Sequence, residues 1–177
     1  MMRSWPVIAA MVLALGGLSA LAGYEMAPPR AAQWREIGWP FPRDGWPAGR
    51  AFRCGTAECG TEVEVYLRSK LGFCNCDSGV ADDDEVDRVA DVDMISPRFV
   101  PLKAGDIVRV ADMPGRIRVY DLDGHRTAIG IAVSHRCDLM AVAAQGRGDA
   151  AAVRRATLKF LESREIRASM IAAMEGR

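Results

Sequence analysis

The sequence predicts an α+β fold: an antiparallel β meander packed against a C-terminal helix, with the N-terminal half braced by disulfides. Three observations lead there. Several segments between Glu62 and Ala144 alternate apolar and polar residues with the two-residue period of strands. The stretch after Asp149 changes to helical spacing. Four of the five cysteines fall between Cys54 and Cys76, beside the densest run of carboxylates in the chain.

Met1 to Trp5 carry one positive charge, Arg3, and no acid. An apolar run follows from Pro6 to Ala22 and ends in Ala20-Leu21-Ala22 before Gly23, a small-x-small cleavage pattern. The run is shorter than the roughly 20 residues that a spanning helix prefers. Residues 1–22 therefore read as a signal peptide, and the mature chain is expected to begin at Gly23, soluble and either periplasmic or secreted. Contact with a membrane is expected only through this segment, if it is not cleaved.

Residues 23–49 hold Pro28-Pro29, Trp34, Trp39-Pro40-Phe41-Pro42 and Trp46-Pro47. Prolines at this density prevent a long helix and remove ladder donors, so the segment reads as an extended arm. Its tryptophans need cover, so the arm is expected to wrap over the core and seal one face; the functional alternative is an aromatic ligand platform. Residues 50–177 are expected to form a single α+β domain.

Within that domain, Glu62 to Arg68 alternates cleanly. Val63, Val65 and Leu67 are expected inward, and Glu62, Glu64, Tyr66 and Arg68 on a wet outer face. Ala51 to Cys54 is its expected antiparallel neighbour. After Gly79, Val86, Val89 and Ala90 fall at helical spacing behind an Asp-rich opening, which suits a capped helix amino terminus. Asp82, Asp83, Asp84, Glu85 and Asp87 make a candidate acidic patch on a solvated helix. The calcium-loop pattern D-x-[DN]-x-[DN]-G is missing.

Downstream, Ile107 to Ala111 reads as a strand, with Met113-Pro114-Gly115 as the turn after it. Arg116 to Leu122 and Thr127 to Ser134 alternate on either side of Asp123-Gly124, a hairpin signal. Ala128, Gly130 and Ala132 leave one face of the second strand so small that a close neighbour is expected there. Leu139 to Ala144 is continuously apolar, as in the middle of a sheet. Asp149 is the expected cap of the last helix, whose stripe is Val153, Ala156, Thr157, Phe160 and Leu161. Ile166, Met170 and Met174 continue it after a break near Ser163. The whole is expected to be a sandwich of two layers.

The cysteines allow two readings. Cys54-x4-Cys59 and Cys74-x-Cys76 are either disulfide partners or four thiolates around one metal ion, zinc or copper(I). Export favours disulfides. A bond between Cys74 and Cys76 would close a strained ring, so each is expected to pair elsewhere, with Cys54 and Cys59 the nearest candidates. Cys137 is an extra thiol, either buried or able to capture one of the upstream four.

The final strand, turn and strand, followed by the helix containing Ala156-Thr157-Leu158-Lys159-Phe160-Leu161-Glu162-Ser163, resembles the last third of PsbP-like domains. The resemblance implies a small exported or lumenal α+β protein serving as an accessory subunit or binding module. The block FCNCDSGVADDDEVDRVADVD, with the preceding WPFPRDGWP, is similar to a group of uncharacterised exported bacterial proteins and implies no activity.

Formal net charge is zero, so no basic bias points to nucleic acid. Of the two histidines, His125 follows a turn, and His135 stands two residues before Cys137, where a turn separates them. No C-x-x-C, haem-attachment, G-x-S-x-G or phosphate-loop motif is present. The leading expectation is a non-catalytic exported binding or accessory protein, with no cofactor, that meets another protein or a small ligand. The alternatives are a metal-handling protein and an enzyme whose site the sequence does not display.

Overall fold

The computed structural model describes residues 33–176. The expected signal peptide and the first part of the arm lie outside the described residues.

Eight antiparallel strands form one sheet: β1 (Arg35–Ile37), β2 (Arg50–Cys54), β3 (Val63–Lys70), β4 (Val100–Pro101), β5 (Asp106–Val110), β6 (Met113–Asp121), β7 (Arg126–His135) and β8 (Asp138–Arg147). Their spatial order is β1-β2-β3-β8-β7-β6-β4, with β5 also pairing β6. The continuously apolar strand β8 is central, between β3 and β7. The helices are α1 (Thr56–Cys59), α2 (Asp83–Val89), α3 (Val92–Ile95), α4 (Ala150–Leu161) and α5 (Arg164–Met174).

One face of the sheet carries Val63, Val65, Ile117, Ile129, Ile131 and Val142, buried under Val153, Phe160, Leu161, Ile166, Met170 and Met174 of α4 and α5. Asp149 caps α4 as its sequence suggests, its carboxylate accepting from the backbone N–H groups of Ala151 and Ala152. Trp34 of the arm lies on the same side, its ring 4.2 Å from that of Phe160.

The other face is covered too, which corrects the expectation of two layers. Val86, Val89 and Ala90 of the acidic helix, with Val92 of α3, pack on Tyr120, Ala128, Ala132 and Leu139. The small face of β7 permits this approach. A β-carbon at Gly130 would stand 3.0 Å from the Ala90 side chain and 3.0 Å from that of Val92. Beyond α3, Trp39 and Phe41 of the arm close over Tyr66 and Ala143. The expected wet face of β3 is therefore buried: Tyr66, Arg68 and Lys70 are each less than 5% exposed.

The turn expected at Met113-Pro114-Gly115 falls one step earlier. Ala111 and Asp112 form a two-residue hairpin loop, both with positive φ (51° and 64°), and Pro114 and Gly115 belong to β6. Such a loop needs two left-handed residues, for which Asn-Gly is the familiar signal, so Ala-Asp conceals it.

Candidate functional site

The structure re-pairs the cysteines. Cys54 bonds to Cys59, and Cys76 bonds to Cys137. Cys74 is a free, buried thiol, packed into the core beneath α2. Burial pushes its pKa up, with the nearby Glu85 carboxylate adding to the effect. The expectation that Cys74 joins a disulfide with Cys54 or Cys59 is thus corrected, and the leftover Cys137 takes its place. Cys74 turns inward against the sheet and is buried, whereas the turn that follows carries exposed Cys76 to the β7–β8 turn and Cys137. The brace consequently joins the two halves of the chain and is not confined to the first. Among the described residues, no group of three or more His, Cys, Asp or Glu is placed to hold a metal ion.

The acidic block is largely spoken for. Asp82 is the N-cap of α2, accepting from the Glu85 N–H at 2.9 Å, and Glu85 reaches back to accept from the Ala81 N–H. Asp83 accepts from Gly105 N–H and from Arg116 Nη2 (2.6 Å), which together hold its carboxyl below the usual carboxylate range. Asp87 accepts from Arg118 Nη1 (2.6 Å) and Tyr120 Oη (2.7 Å). Burial and this last bond raise the Tyr120 pKa. Asp82 and Asp84 are the exposed members of the five, and Asp83, Glu85 and Asp87 are half-buried. Asp83 and Asp87 thus clamp the helix onto the arginines of β6.

The least expected feature is a buried charge cluster under the arm. Asp91 accepts from Arg68 Nε at 2.9 Å and from Lys70 Nζ at 2.6 Å. Lys70 also donates to the Val89 carbonyl, and Arg68 Nη1 reaches the Asp44 carboxylate at 2.8 Å. The Arg68 guanidinium holds the Asp44 carboxyl below its ordinary range. Each cation also faces aromatic rings: Arg68 lies 5.8 Å from Trp39, and Lys70 lies 5.8 Å from Trp46 and 5.6 Å from Phe73. Two cations and two carboxylates leave the cluster neutral, and every charged group in it has a partner.

Above this floor the segment from Trp39 to Ala48 arches around a cleft of about 560 Å³, walled by Trp39, Phe41, Trp46 and the prolines, with Arg68 at its base. Trp46 also meets Phe73 edge-on at 5.1 Å. Phe73 is 44% exposed and Leu71 is 51% exposed, so the apolar surface continues outward from the cleft. Sequence reasoning singled out the tryptophans but missed Arg68, Lys70, Asp44 and Asp91. The usable signal was the small face of β7, which demanded a second covering layer that extends across β8 to the cations of β3.

Neither histidine makes a thiol dyad. His125 is exposed in the β6–β7 turn, and the Cys137 sulfur beyond His135 is bonded to Cys76. Among the described residues, no helix is long and apolar enough to cross a membrane. Comparison of the chain with protein-family models, curated proteins and solved structures finds no match in any of the three.

Proposed function

We propose that this chain is an exported, non-catalytic binding or accessory module, periplasmic or secreted, whose partner surface is the cleft made by the Pro/Trp arm. The observation that carries the reading is the continuity of Trp39, Phe41 and Trp46 with exposed Phe73 and Leu71 above a fully ion-paired floor. Aromatic anchors in a pre-shaped cleft are what binding hot spots are made of. Charged groups already consumed in ion pairs fix the floor and leave no free acid or base there for proton transfer. The apolar surface runs beyond the cleft, which suits a segment of another exported protein better than a small molecule. The two disulfides and the sequence pattern of residues 1–22 support export.

The test is site-specific photo-crosslinking in the producing cell, with the photoreactive residue at Pro47 or, as a control, at exposed Arg155 on α4. An adduct of defined mass from Pro47 alone is the expected result. Adducts from both positions, or from neither, would refute a partner surface at the arm.

A further inference from the structure

A second cleft, of about 400 Å³, lies between the loop containing Asn75–Gly79, the β7–β8 turn and the start of β6, and it shares no lining residue with the aromatic cleft. Its construction is rigid. The Cys76–Cys137 bond ties loop to turn, Asn75 Oδ1 accepts from the N–H groups of Asp77 and Ser78, and the Cys74 N–H donates to the Cys137 carbonyl. Gly79, at φ 59°, presses so close that a β-carbon there would stand 2.5 Å from Ser134 Oγ.

The walls differ in chemistry. Val80, Pro114 and Ile107 form an apolar side, and Ile107 is 79% exposed. The polar lining is Arg116, the cross-strand partner of Ile107, together with His135 and Arg136. Asp83 already holds Arg116, but Arg136 has no ion pair or hydrogen bond among the described residues. Arg136 also sits at φ 58°, a left-handed conformation that costs a residue with a β-carbon roughly 1–2 kcal/mol and that Gly or Asn would fill more easily. Two further nitrogens, Arg116 Nε and His135 Nε2, are buried without a hydrogen-bond partner. A buried polar atom left unmatched costs about 1–3 kcal/mol, so an acceptor brought to either nitrogen would recover part of that cost. Asp77 is the carboxylate on the lining, unpaired and exposed on the loop.

We propose that this cleft binds a small organic carboxylate with an apolar body. The carboxylate meets Arg136 and supplies an acceptor to the unpartnered nitrogens after a small turn of the imidazole, while the body covers Ile107, Val80 and Pro114. Charge-assisted bonds to a guanidinium are the strong, orienting contacts, and the apolar wall adds area removed from water. An ammonium on the same ligand would meet Asp77, so a free acid and an amino acid are two sources of one chemistry.

The test titrates the full chain, lacking residues 1–22 if these are removed in export, with three probes of one branched skeleton: 4-methylpentanoate, leucine and 3-methylbutylamine. Amide NMR shifts are followed. The expected result is saturable shifts confined to residues 76–81, 115–116 and 134–136 with 4-methylpentanoate, leucine or both. Tighter binding of leucine would assign a role to Asp77; tighter binding of 4-methylpentanoate would leave the acid alone as the ligand class. Arg136→Gly keeps the left-handed backbone and should weaken binding at least tenfold, and Ile107→Ser should weaken it several-fold. The proposal is overturned if neither carboxylate gives localised shifts, if the amine binds as well as the acids, or if Arg136→Gly binds unchanged. Any of these results leaves the aromatic-cleft reading standing, because the two clefts share no residue.

Discussion

Asp91→Asn isolates one charge at the centre of the buried cluster. Asparagine keeps the size of the side chain and tolerates the left-handed backbone (φ 59°) that residue 91 adopts. The substitution removes the carboxylate that accepts from Arg68 Nε and Lys70 Nζ at 2.9 and 2.6 Å, while both cations stay less than 5% exposed. Asp44 then balances Arg68 alone, and Lys70 keeps one carbonyl and two aromatic rings as partners. Breaking a buried pair from one side typically costs about 3–5 kcal/mol, because the remaining charge stays desolvated and uncompensated. For a domain of this size that is on the order of 10 °C in melting temperature. The assay is urea unfolding, reading the midpoint at unchanged slope. Lys70→Met in the same chain removes the surplus charge, so the double variant should recover most of the loss and show strong coupling in a double-mutant cycle. A single variant that loses less than about 1 kcal/mol, or a double variant whose losses simply add, would refute the buried-charge account.

Two further outcomes follow from the disulfides and the clamped helix. Cys76 and Cys137 are 61 residues apart and Cys54 and Cys59 only 5, so chain entropy assigns about 4 kcal/mol to the first bond and about 2 to the second. Paired Cys→Ser variants should rank in that order by denaturant midpoint, and dithiothreitol should lower the melting temperature while EDTA leaves it unchanged. The reverse response to the two reagents would restore the thiolate-metal reading. Asp83, with its folded pKa depressed by the Gly105 N–H and Arg116, contributes stability that is full above the unfolded carboxylate value near 4 and is lost as pH falls through the lower folded value. Asp83→Asn should therefore lower stability at pH 7 and flatten its decline between pH 5 and pH 2, as read by denaturant midpoints across that range; an unchanged slope would place the acid sensitivity elsewhere.

The local elements were determined by the sequence. Period-two alternation placed Val63 to Leu67, Ile117 to Val119 and Ile129 to Val133 on one face of a sheet, and the Asp149 cap and the Val153–Leu161 stripe set the helix that covers it. The acidic helix was equally legible, because Asp82 caps it and Val86, Val89 and Ala90 mark its inner side. Tertiary structure decided which of those surfaces meet. Strand β3 pairs with β8, some 75 residues later, and no local pattern encodes that choice. Once α2, α3 and the arm settle on the second face, Tyr66, Arg68 and Lys70 change from solvent-facing residues to buried ones, and Asp91 and Asp44 become their necessary partners. The cysteines follow the same rule. The turn that separates buried Cys74 from exposed Cys76 is local, but the partner of Cys76 is the sulfur that the β7–β8 turn carries to it. Spacing along the chain limits which bonds can close, and only packing selects among the ones that remain.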